Sequence, residues 1–64
     1  MLEIKIVKST ACLMLMKGEE MLDYKFINKF QFNNIMTLED LKEEVRNFAL
    51  SNNVNEYVLN TEQL

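Results

Sequence analysis

Residues 11–18 read ACLMLMKG, six apolar side chains in a row, then a lysine and the only glycine of the chain. A strand in a small domain usually buries one face and wets the other, because successive side chains point to opposite sides. Six consecutive apolar residues therefore imply a strand with both faces covered, or a segment of buried helix. Ala, Leu, Met and Lys all favour helices, and a short apolar run does not decide between the two by its period. The flanking segments decide in favour of a strand.

Residues 2–8, LEIKIVK, place Leu2, Ile4 and Ile6 on one side and Glu3, Lys5 and Val7 on the other. Residues 21–32, MLDYKFINKFQF, alternate along their whole length. Both patterns have a period of two and read as strands. Gly18 first in a two-residue loop suits a type II′ hairpin. With Gly18 and Glu19 as that loop, Met16 faces Met21, Leu15 faces Leu22 and Leu13 faces Tyr24. A turn centred on Ser9 and Thr10 sets Val7 opposite Cys12, Ile6 opposite Leu13 and Ile4 opposite Leu15. Cross-strand neighbours share a face, so three strands agree on a common assignment. One face gathers Leu2, Ile4, Ile6, Ala11, Leu13, Leu15, Leu22, Tyr24, Phe26, Phe30 and Phe32. The other gathers Val7, Cys12, Met14, Met16, Met21 and Ile27 among Glu3, Lys5, Asp23, Lys25 and Lys29.

A helix follows. Thr37 is a good N-cap, Asp40 stands where the acid of a capping box belongs, and Met36 can staple to Leu41. Leu38, Leu41, Val45, Phe48 and Ala49 form a stripe at helical spacing. Asn52 or Asn53 can take the left-handed position after the last turn, with Val54 folding back. Residues 56–60, EYVLN, read as a short last strand running parallel to the third, beside it or beside the first. The expected fold is α+β: a three-stranded antiparallel meander, one helix on one sheet face and a short C-terminal strand, in the order βββαβ. Residues 1–64 make one domain.

A chain of 64 residues hides only about 60% of the surface its unfolded form exposes, and domains this small usually need a staple. Cys12 is the single cysteine and there is no histidine, so neither a disulfide within the chain nor a Cys/His zinc set is available. Self-association remains. One helix covers one sheet face, which leaves Val7, Cys12, Met14, Met16, Met21 and Ile27 as the expected interface.

The lack of histidine removes the commonest general base, and Cys12 falls mid-strand with only lysines near it. Ser9, Thr10 and Ser51 have no orienting base. Glu19, Glu20 and Asp23 gather at the hairpin as an acidic turn, fewer ligands than a calcium site wants. The expectation is a non-enzyme without metal or cofactor. The net charge of −3 disfavours a sequence-blind polyanion binder, although Lys5, Lys25 and Lys29 on the open face would be the contacts of a nucleic-acid-binding alternative. The aromatics of the third strand are expected on the helix side, away from any base. No run is long enough for a membrane span, and a free thiol fits a reducing cytoplasm.

The leading expectation is a non-catalytic protein-interaction module that self-associates as a homodimer or higher oligomer and binds a protein target. A chain rich in Asn and Lys with one arginine and no Pro, Trp or His suggests an AT-rich source such as a phage. On that ground the target would be a host defence protein such as a CRISPR nuclease.

Overall fold

The computed structural model describes residues 1–62. Its strands β1 (Leu2–Val7), β2 (Cys12–Lys17), β3 (Glu20–Phe26) and β4 (Val58–Glu62) form one sheet in the order β3-β2-β1-β4. Helix α1 (Lys29–Asn34) follows β3, and helix α2 (Leu38–Ser51) crosses one face of the sheet. The meander β1-β2-β3 is antiparallel and β4 pairs parallel to β1. The α+β arrangement expected from the sequence is the observed one, with the last strand beside β1.

The β1–β2 register follows the hydrophobic pattern, with Ile4 opposite Leu15, Ile6 opposite Leu13 and Val7 opposite Cys12. A 3₁₀ turn over Lys8–Thr10 joins the two strands, and Ala11 closes it in the left-handed region at φ 50°. The tight hairpin at Gly18 has φ +63° at the glycine, a conformation strained for any residue with a Cβ and free for glycine.

Helix α2 stops and starts as its sequence dictates. The Thr37 Oγ1 accepts from the Asp40 N–H at 3.1 Å, and the Asp40 carboxylate accepts from the Thr37 N–H at 3.1 Å. At the other end Asn53 takes φ 59°. The Val54 N–H then donates to the Ala49 carbonyl at 2.9 Å and the Asn53 N–H to the Leu50 carbonyl at 3.0 Å, a complete Schellman closure. Val45, Phe48 and Ala49 pack with Val54 onto Ile4, Ile6, Leu13 and Leu15. Leu38, expected on the core stripe, is instead 68% exposed.

Two features of residues 20–34 depart from the alternation. Met16 pairs with Met21, but Leu15 pairs with Asp23, Met14 with Tyr24, Leu13 with Lys25 and Cys12 with Phe26. A bulge at Leu22 has inserted one extra residue, and every side chain beyond it changes face. Tyr24 and Phe26 therefore lie on the open face, whereas Asp23 and Lys25 lie on the helix side. The strand then ends at Phe26 rather than Phe32. The Asn28 side chain accepts from the Gln31 N–H at 3.0 Å and caps α1, so Phe30 and Phe32 are helical residues. Phe32 packs against the core while Phe30 stays out in solvent.

Candidate functional site

The sheet face opposite α2 carries three cross-strand rows. From β3 to β4 the first is Met21, Met16, Glu3 and Val58. The second is Tyr24, Met14, Lys5 and Asn60. Phe26, Cys12 and Val7 begin the third. The face is thus divided. Its β2–β3 half is apolar and aromatic, and its β1–β4 half mixes Val7 and Val58 with the polar Glu3, Lys5 and Asn60, the Asn60 amide donating to the Glu3 carboxylate at 2.9 Å. Tyr24 and Phe26 meet edge to face, ring centroids 5.5 Å apart and planes at 73°.

Burial within this face is uneven. Cys12 and Met16 are buried in the single chain at 6% and 8% exposure, because Val7 and Phe26 flank the first while Glu3 and Met21 flank the second. Met14 is half-buried between Lys5 and Tyr24. On β3, by contrast, Met21 is 47%, Tyr24 53% and Phe26 64% exposed. The edge strand therefore holds most of the apolar surface that a partner could still cover.

Of the residues expected to form this surface, Val7, Cys12, Met14, Met16 and Met21 share the open face. Ile27 does not, since it packs against the helix-side core once the bulge has shifted the frame. The same shift removes Lys25, whose Nζ donates to the Glu44 carboxylate of α2 at 2.9 Å. Asp23 likewise turns to α2, where its carboxylate accepts from the Asn52 amide at 3.0 Å. Lys29 stands in the first turn of α1. Only Lys5 of the three candidate nucleic-acid contacts remains on the face. Tyr24 and Phe26 are the members that alternation misassigns. No local signal places them, since strict alternation sends Asp23 and Lys25 out and the aromatics in, which is the ordinary arrangement.

Cys12 lies in this face with its Sγ 3.5 Å from the Leu13 carbonyl. Burial pushes its thiol pKa up, partly offset by a backbone hydrogen bond from Lys25. That is the environment of an inert thiol, not of a nucleophile held as thiolate. Among the described residues no group of three acids, cysteines or histidines is placed to hold a metal, and no helix is long and apolar enough to cross a membrane. The fold and this surface together define a four-stranded α+β domain with one helix-covered face and one half-apolar open face. The chain matches no protein-family model, no curated protein and no solved structure.

Proposed function

We propose that this chain is a small non-catalytic protein-interaction module that self-associates through the apolar half of its open sheet face. The observation that carries the reading is the exposed row Met21, Tyr24 and Phe26 on an edge strand, continuous with Met14. Monomers seldom leave contiguous apolar surface beyond a few hundred Å² in water, and aromatics and Met are the residues enriched at protein interfaces. Methionine also adapts its shape to a facing surface.

A second copy is the occupant this face suits. Glu3 and Lys5, opposite in sign, stand two residues apart on β1 of this face, so two copies stacked about a two-fold axis can set the acid of one near the base of the other. The whole face, four strands at about 4.8 Å spacing and about six residues long, gives a footprint near 400 Å² in plan, about half of it apolar. With side-chain relief the whole face approaches the lower range of a specific contact, about 600 Å² per partner, so a dimer seated on the apolar half must cover the β1–β4 half as well. The non-catalytic part of the reading rests on the missing histidine and on the buried Cys12 thiol.

The test is sedimentation equilibrium of the wild type beside a Tyr24→Ser/Phe26→Ser double variant. Both side chains are exposed in the single chain, so the variant keeps its helical circular dichroism. The wild type sediments as a dimer at high micromolar concentration and the variant as a monomer. A wild type that stays monomeric to about 1 mM (−4.1 kcal/mol at most) removes the reading. Met16→Glu is a poor probe, since Met16 is already buried.

The exposed Tyr24–Phe26 pair also favours a second reading, a single-stranded nucleic-acid binder that stacks bases on its sheet. Lys5 is its one lysine on the face. A low-salt gel shift with single-stranded DNA decides: a retarded species abolished by Tyr24→Ser/Phe26→Ser supports this reading, and an unshifted band ends it. The narrower idea of a phage inhibitor of a defence nuclease is carried by composition alone, and a nuclease-inhibition assay with the same variants tests it.

A further inference from the structure

On the helix side, away from the open face, two cavities adjoin at the N-terminal turn of α2. One, of about 130 Å³, opens between α2 and the β1–β4 pair and is walled by Ile6, Val45, Leu59 and Leu41. The other, an open groove of about 340 Å³, lies towards α1 and is walled by Phe32, Met36 and Leu41 with Asn33 and Thr37 at its polar edge. Leu38 and Leu41 stand between them and line both. This is why Leu38, two-thirds exposed, is not a core residue: it forms a ridge with an apolar hollow on each side.

Among the described residues the charge lining these hollows is of one sign: Lys8 lines both, Lys42 lines the smaller, and no acid lines either. That is notable in a chain with 10 acids against 7 bases. Of the four acids on α2, Asp40 caps the helix, Glu44 pairs with Lys25, and Glu39 and Glu43 line neither hollow. The side-chain ammonium groups of Lys8 and Lys42 have no ion-pair or hydrogen-bond partner among the described residues.

We infer that this double hollow is a docking site for an acidic amphipathic segment of a partner protein, two aliphatic side chains seated either side of Leu38 and carboxylates facing Lys8 and Lys42. An apolar cavity of about 150 Å³ accepts a body the size of benzene, so the smaller hollow takes one leucine-sized side chain. Two hollows sharing a wall call for two such anchors close together on one segment, as neighbouring turns of a helix provide. The cationic rim selects the charge between the anchors. The site does not involve the open face and stands whether or not the chain dimerises.

The experiment titrates the ¹⁵N-labelled protein with a synthetic peptide of about twelve residues, Leu at every third or fourth position and Glu between. The same peptide with Lys for Glu, and free 4-methylpentanoate, serve as comparisons. The acidic peptide is expected to shift amides of Ile6, Lys8, Leu38, Lys42 and Leu59, to bind at least about tenfold more tightly than the Lys peptide, and to weaken as salt rises from about 0.05 to about 0.5 M. Lys8→Glu/Lys42→Glu, two exposed positions, should weaken binding about tenfold or more with an unchanged fold, and Leu38→Ser by severalfold. Equal binding of the two peptides, shifts that map elsewhere, or indifference to Lys8→Glu/Lys42→Glu would overturn the inference. So would 4-methylpentanoate binding as tightly as the peptide, since the site would then serve a small acid.

Discussion

Phe26→Ser separates the two frames that β3 could have adopted. In the bulged frame Phe26 keeps 64% of its surface in solvent, so only about a third is covered. Full burial of such a side chain is worth about 1.5–3 kcal/mol, so the covered third is worth about 0.5–1 kcal/mol. Its exposed edge-to-face contact with Tyr24 adds roughly 0.5 kcal/mol. The variant should therefore lose about 1–1.5 kcal/mol when unfolded by urea in dilute solution, with circular dichroism as the probe. Unbroken alternation instead places Phe26 in the core, where truncation removes about 3–5 kcal/mol. A domain of this length is stable by only about 3–10 kcal/mol, so that loss would leave little folded protein. A measured loss of 3 kcal/mol or more refutes the bulge and, with it, the aromatic face. The same titration repeated at rising protein concentration should move the wild-type midpoint upward, as association stabilises the folded chain, and leave the variant's midpoint fixed.

Thr37→Ala removes half of the capping box and should lower stability by about 1 kcal/mol in the same urea assay. Ala11 is fully buried at φ 50°, where a β-branched residue is strongly disfavoured; Ala11→Val should lose 2 kcal/mol or more by strain and overpacking, while Ala11→Gly stays near neutral because relief of strain offsets the lost methyl and the added chain entropy. The Cys12 thiol is raised in the fold by burial, so the unfolded thiol ionises first. Its stabilising share is complete below the ordinary thiol pKa of about 8.5 and is lost as pH climbs beyond it; urea midpoints taken from pH 7 to 10 should fall more steeply for the wild type than for Cys12→Ala.

Much of this architecture is written in short-range pattern. β1 and β2 alternate, Gly18 turns the hairpin, and the capping box and Asn53 bound α2, because each of these signals acts within a few residues. The bulge at Leu22 does not act locally. It is selected by what Asp23 and Lys25 gain against α2, residues some twenty to thirty positions away, and by how much aromatic volume the Ile4–Leu13–Phe48 core has room for. Alternation from Met21 to Phe32 conceals both the frame shift and the end of the strand. Asn28 followed three residues later by Gln31 is a helix-start pattern, but phenylalanines two apart carry the period of a strand. Those phenylalanines serve a helix equally well when only Phe32 is needed inside. The open face was legible as an unpartnered layer, but its most exposed members were not, since one inserted residue decides which side every later residue takes.

The two surfaces proposed for this chain meet only through β1 and its neighbours, and that geometry sets how far they can influence one another. Ile6 floors the helix-side hollow while Val7 and Lys5 look the other way. Between them lies the most tightly packed part of the molecule, with Ile4, Ile6, Leu13 and Leu15 exposed by 2% or less. Coupling between sites needs an element with two arrangements that both ligands bias, and a close-packed central strand pair with a pattern-fixed register offers none. The acidic peptide should therefore bind the Tyr24→Ser/Phe26→Ser variant and the wild type, at concentrations where the proposed dimer forms, with affinities equal within about 0.5 kcal/mol, a factor near two. Calorimetric titration of both proteins measures this directly. A larger difference would mean that the sheet transmits strain between its faces, and the Leu22 bulge, where β3 departs from the regular ladder, would be the first place to look for the second arrangement.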